Sequence, residues 1–131
     1  MISTKGRYAL RVMIDLAEHK DEGNIALKAI SERQDISKKY LEILVKKLVE
    51  GKLISSASGK GGGYQLTRQP EQYTVGEILE LMEGTLATVA CLTPGAPPCK
   101  RAEKCKTLGL WSEYDQLIHT FFYSKTLKDL L

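Results

Sequence analysis

The sequence has little of what would mark an extracellular scaffold, a membrane protein or a catalytic centre. Three cysteines in 131 residues are an odd number. That disfavours a disulfide framework and leaves a metal or redox role open. There is no run of eighteen apolar residues, so no membrane span and no membrane partner are expected. Met1-Ile2-Ser3-Thr4-Lys5-Gly6-Arg7 is not followed by a long apolar core and a small-residue cleavage site, which points to a cytoplasmic chain. The two histidines, His19 and His119, lie in unrelated segments without a nucleophile–base pattern, so an enzyme is not expected. Gly59-Lys60 is followed by Gly61 where a phosphate-binding P-loop needs Ser or Thr, and it lies between two predicted strands. No internal repeat is present.

What is there fits one domain with its own core: 43% of the residues are hydrophobic and 27% charged, too apolar for a disordered chain. The net charge of +3 hides an asymmetry. Residues 28–68 hold nine basic and four acidic side chains, whereas residues 71–90 hold four glutamates and no base. A basic block before an acidic one is what a polyanion-binding part joined to a second part would show, although solvated helix faces give the same pattern.

Local signals place the elements. Ser3 or Thr4 can cap a first helix, whose apolar face is Tyr8, Ala9, Val12, Met13, Leu16 and Ala17. Residues 20–24 end it. A short helix over 27–34 turns Leu27 and Ile30 inward, and Gln34-Asp35-Ile36 makes a tight break. Ser37 caps the next helix, with Ile36 and Leu41 at the hydrophobic-staple positions. That helix, to residue 50, buries Leu41, Leu44, Val45, Leu48 and Val49. It leaves Lys38, Lys39, Glu42, Ile43, Lys46 and Lys47 on or near the other side, and Gly51 stops it as a C-terminal glycine does. Strands are expected at Leu53–Ser56 and Tyr64–Thr67, joined by a glycine-rich tip. Thr74-Val75-Gly76-Glu77 is a capping box opening a helix that Gly84 ends. Residues 85–106 have no period and carry all three cysteines. A long helix follows, with Leu110, Trp111, Tyr114, Leu117, Ile118, Phe121 and Phe122 on one broad face, and Thr126–Asp129 can cap a last turn.

Three short helices and a hairpin make a winged helix-turn-helix. The predicted fold is therefore mainly α with a small β-hairpin wing and a long C-terminal helix. Residues 1–84 form the DNA-binding region, 85–106 the cysteine loop, and 107–131 the last helix and tail. Recognition helices read bases from their N-terminal end, which here presents Ser37, Lys38, Lys39 and Tyr40. Lys46 adds charge farther along, and Ser58 and Lys60 stand at the wing tip, suited to phosphate or minor-groove contact. Cys91, Cys99 and Cys105 are spaced C-x7-C-x5-C beside Lys100, Arg101, Lys104 and Lys106. Soft thiolates among positive charges suit an iron–sulfur cluster better than zinc, whose ribbons use short C-x2-C pairs.

Several of these segments together resemble the Rrf-type winged-helix regulators, the group that includes IscR, NsrR and CymR. They are Ser3–Ala9, Ile30–Gln34, Ile36-Ser37, Tyr40-Leu41-Glu42, Gly59–Tyr64, Val75–Ile78, the three cysteines before Leu110-Trp111, and Thr126–Leu130. The resemblance implies a transcription regulator, a repressor, binding a palindromic double-stranded operator as a homodimer paired through the helix at about 108–123. It also implies that Cys91, Cys99 and Cys105 hold a cluster, 2Fe-2S or 4Fe-4S, that senses iron–sulfur status, redox state or nitric oxide. Three departures stand out. Leu108 occupies the place of the histidine that completes the IscR-like ligand set, and neither His19 nor His119 fits that motif. The first cysteine gap is longer than the family's usual five residues. Ser58 stands where IscR-like wings carry an arginine, with Lys60 nearby. Some members take a ligand from the partner's first helix, where this chain has Tyr8, a poor cluster ligand. CymR-like control by a protein partner, or zinc or thiol chemistry on the same cysteines, is the alternative.

Overall fold

Side-chain caps set where three of the five α-helices begin. The computed structural model describes residues 1–131. In it α1 (Thr4–Glu18) starts where the Ser3 hydroxyl accepts the Gly6 N–H at 3.1 Å. Next comes α2 (Leu27–Gln34), and α3 (Lys38–Glu50) starts at Ser37, whose Oγ accepts the Tyr40 N–H at 3.2 Å. Strands β1 (Ile54–Ala57) and β2 (Gly63–Leu66) pair antiparallel, with Ile54 opposite Leu66 and Ala57 opposite Gly63. The Thr74–Glu77 capping box opens α4 (Val75–Glu83), and α5 (Leu108–Ser124) is the long C-terminal helix. The fold is a winged helix-turn-helix carrying a long C-terminal helix. No helix is long and apolar enough to cross a membrane.

The core is the meeting of the first four helices with the wing base. Ala9, Val12, Met13 and Leu16 of α1 are buried against Ile30, Leu41, Leu44, Leu48, Ile54, Ile78 and Met82. Val49 and Leu27 lie at its edge, half-buried, rather than inside it.

Both strands begin and end one residue nearer the tip than the pattern predicts. At the base, Tyr73 takes the backbone groups that would have extended the ladder. Its hydroxyl donates to the Leu53 carbonyl at 2.7 Å and accepts the N–H groups of Thr67 at 2.9 Å and Arg68 at 3.0 Å. The wing also gains an unpredicted third partner, because Ile25 exchanges both backbone hydrogen bonds with Tyr64. Gly51 caps the end of α3 as expected, but not in the left-handed conformation. Its φ is −80°, and Lys52 carries the positive φ of 61°. Gly51 is needed for space, since a Cβ there would run into the Leu81 side chain of α4.

The predicted broad face of α5 splits in two. Phe122 packs beside Val75, Leu79 and Leu86. Leu110, Tyr114, Leu117 and Phe121 point outward, each about half exposed or more (58%, 49%, 64% and 55%). The C-terminal half of α5 is tied down most firmly. The Tyr123 ring lies over Gly76, where no other residue would leave room. Its hydroxyl donates to Glu80, and burial together with that carboxylate pushes its pKa up to about 12. Beyond the helix, Val75 N–H donates to Lys125 O, Leu127 N–H donates to Tyr73 O, and Leu127 is fully buried.

Candidate nucleic-acid interface and cysteine loop

The break between α2 and α3 is a single left-handed residue, Asp35, at φ 53° and ψ 49°. Asp is one of the few side chains that visit this region readily. Ile36 is buried behind it, next to Leu41, as the staple predicts. This geometry projects the first turn of α3 outward. Ser37, Lys38 and Lys39 are exposed, Tyr40 is half-buried, and Lys46 is exposed one face along. The capping bond uses the Ser37 oxygen as acceptor and leaves its O–H free to donate. Lys47 differs from its neighbours, because its Nζ bonds the Met82 carbonyl at 3.4 Å and belongs to the α3–α4 contact. Ser58 and Lys60 are exposed at the wing tip, where Gly59 and Gly61 have φ of 82° and 76°. Lys38, Lys39, Lys46 and Lys60 form no ion pair, so their charge faces solvent uncompensated.

Two residues join this face that the periodicity had not singled out for it. Tyr8 is half-exposed and meets the Tyr40 ring edge-on, with centroids 5.7 Å apart. The Arg11 guanidinium lies 5.0 Å above the Tyr8 ring. The legible signal was a cation three residues after a tyrosine on one helix side.

The cysteine segment is an open loop. Cys91 sits in the short 3-10 turn Ala90–Leu92, Cys99 lies beyond it, and Cys105 follows the turn Ala102–Lys104. All three are free thiols. Cys91 and Cys99 are exposed and Cys105 is half-buried. The Cys105 sulfur is 3.4 Å from the Thr107 hydroxyl. Hydrogen bonds from Thr107 and Leu108, with the Arg101 charge, hold that thiol below the usual range. The expected gathering of the three cysteines is not seen, because nowhere do three metal-ligating side chains converge. The donor set fits a thiolate-bound cluster by chemistry, and its present placement does not. Nothing between residues 89 and 106 is buried, so no packing holds the loop in a closed form. Leu108 is the first residue of α5, and each histidine ring is bound to a carbonyl of its own segment, His19 to Asp15 and His119 to Asp115, both at 2.8 Å.

Known proteins resemble this chain over nearly its whole length. The family model Rrf2, described as an iron-dependent transcriptional regulator, matches residues 2–131. The chain belongs to the Rrf2 family. It is 37% identical to the HTH-type transcriptional regulator IscR of Xenorhabdus nematophila, over 99% of this chain and 78% of that protein. Its fold matches the global cysteine regulator CymR of B. subtilis with a TM-score of 0.80 at 37% identity, covering 99% of this chain and 95% of that one. It matches T. potens IscR with a TM-score of 0.75 at 34% identity, covering 99% and 85%. As a member of the Rrf2 family the protein is a DNA-binding transcriptional regulator and not an enzyme.

Proposed function

We propose that this Rrf2-family protein is a homodimeric repressor that binds a palindromic operator and senses iron–sulfur, redox or nitric oxide status through a cluster on Cys91, Cys99 and Cys105. Residues 1–84 would bind DNA. Ser37, Lys38, Lys39, Tyr40 and Lys46 would enter or border the major groove, and Ser58 and Lys60 would contact phosphate or the minor groove. The exposed stripe Leu110, Leu117 and Phe121 supports pairing of two chains through α5, since contiguous apolar patches on one helix face mark interaction surfaces.

The observation that carries the sensing half is three free thiols in a basic loop that has no buried residue between 89 and 106 and leads straight into α5. A bound cluster would supply redox- and nitric-oxide-reactive iron held by soft thiolates. The chain's own part is to close the loop. The loop is already tied to α5 near its start, where the N–H and hydroxyl of Thr88 donate to Asp115 at 2.8 and 3.1 Å. Closure would therefore pull on the pairing helix and reset the separation of the two recognition helices. Half-sites lie about one DNA turn apart, so a few ångström decide the fit. Switching from mostly free to mostly bound needs about 5.5 kcal/mol of differential affinity.

Anaerobic purification followed by visible absorption, iron and sulfide analysis tests this. The expected result is iron and sulfide in the wild type, with both reduced and operator affinity altered in Cys99→Ala. Unchanged cluster content and affinity in that variant would end the reading. A second reading, a cluster-free regulator controlled by thiol chemistry or a protein partner, is favoured by the separation of the thiols and by the likeness to CymR. It predicts a colourless, iron-free protein under the same conditions.

A further inference from the structure

Asp15 is the one charged side chain buried in the core, at 1% exposure in the last turn of α1. It takes no part in the DNA face or the cysteine loop. Its carboxylate is filled from the end of α2. Oδ2 accepts Arg33 Nε at 2.9 Å and Gln34 Nε2 at 3.0 Å, and Oδ1 accepts Arg33 Nη2 at 2.8 Å. Gln34 is also gripped from its other side. Its Oε1 accepts Arg11 Nε at 3.3 Å, and its backbone carbonyl accepts Arg11 Nη2. The next residue is Asp35, the left-handed pivot, and Ser37 begins α3 two residues later. On the far side of the pivot, Ser31 Oγ donates to Ile36 O at 2.6 Å. Arg11 continues through Tyr8 to Tyr40, so α1 holds both the end of α2 and the first turn of α3.

We propose that Asp15, acting through Arg33 and Gln34, is a positioning residue for operator recognition: it sets the rotation and tilt of α3 relative to α1. The proposal rests on α3 being the reading helix. The chemistry favours positioning over stability. Only the carboxylate of the pair is buried, Arg33 being exposed, and a buried carboxylate can often be replaced together with its partner by apolar side chains with little loss of stability, so cohesion alone does not require it. Apolar packing is non-directional, whereas a bidentate guanidinium–carboxylate pair fixes geometry. A rotation of α3 by about 20° moves side-chain tips at ~6 Å from its axis by ~2 Å. That exceeds the window of a base-edge hydrogen bond, but a lysine on a flexible stem still reaches a phosphate. Loss of the lock should therefore erase discrimination and spare non-specific affinity.

The test uses the full-length double variant Asp15→Leu/Arg33→Met, which replaces the pair by apolar groups. The probes are a duplex enriched by the wild-type protein from random-sequence DNA and a scrambled duplex. The expected result is a melting temperature near that of the wild type, at least tenfold weaker binding to the enriched duplex, and scrambled-duplex affinity and salt slope unchanged. Asp15→Asn, which keeps the shape and one acceptor oxygen, is read the same way if the double variant fails to fold. A stable variant with the wild-type ratio of enriched to scrambled affinity overturns the proposal. So does a salt slope that falls by about one, which would make Arg33 a phosphate contact. A wild-type ratio of one would remove the α3 reading and this proposal together.

Discussion

Tyr73→Phe should loosen the wing, and the structure sets the size of the effect. The side chain is fully buried, and its hydroxyl is the meeting point of three backbone groups: the Leu53 carbonyl and the N–H groups of Thr67 and Arg68. Removing the oxygen deprives two donors and one acceptor of their partner. A buried polar group left unsatisfied costs about 1–3 kcal/mol. The full sum is not reached. Leu53 O keeps a weaker bond from Thr67 Oγ1 at 3.3 Å, and Thr67 as a residue is exposed. The ring, with the Arg68 guanidinium 4.4 Å above it, stays in place. The expected loss is about 2–3 kcal/mol, or roughly 10 °C in Tm for a chain of this size. Urea and thermal melts at one fixed protomer concentration measure it, since dimerisation makes stability concentration-dependent. Amide exchange in β1 and β2 should accelerate more than in α1. A loss under about 0.5 kcal/mol, or exchange that rises equally everywhere, would refute the view that this hydroxyl ties the wing to the core.

Lys39→Ala and Lys60→Ala should each weaken operator binding and lower the salt slope by about 0.9 for each phosphate no longer neutralised. Unchanged affinity in both would mean that the binding face lies elsewhere. Leu117→Glu places a charge in the exposed α5 stripe and should give a monomer in sedimentation analysis while the winged helix still melts cooperatively. A dimer of undiminished affinity would place the pairing surface outside α5. Stability should be level near neutrality and fall in acid. Burial alone would raise the pKa of Asp15 and Glu77. Hydrogen bonds and charge from Arg33, Gln34 and His19 at the first, and from Arg68 and Thr74 at the second, outweigh that and hold both below the usual range. Their contribution is complete above the unfolded carboxylate range near pH 4 and is lost as pH falls through the lower folded values. A urea midpoint unchanged from pH 6 to pH 3 would contradict this.

Where a structural decision is made by neighbours in sequence, the sequence alone contains it. The caps at Ser3, Ser37 and Thr74 are hydrogen bonds reaching three residues ahead, and each was legible. So were the tight break at Asp35, the staple of Ile36 with Leu41, the capping of the last turn by Thr126 and Asp129, and the apolar stripes that choose the buried faces. The candidate DNA face followed because it is the opposite side of those stripes.

Tertiary structure decided what depends on partners distant in the chain. Strand ends moved because Tyr73, outside the hairpin, claims the groups that would have extended the ladder. Gly51 answers to Leu81 rather than to its own helix end. The apolar residues of α5 divide into an inner and an outer set only when α4 covers one of them. Asp15 looks like a polar interruption in a helix until Arg33 and Gln34 arrive from eighteen and nineteen residues away to satisfy it. The three cysteines are the opposite case. Their spacing and chemistry are written in the sequence, but no residue between 89 and 106 reaches the core, so the fold alone supplies little force that draws them together.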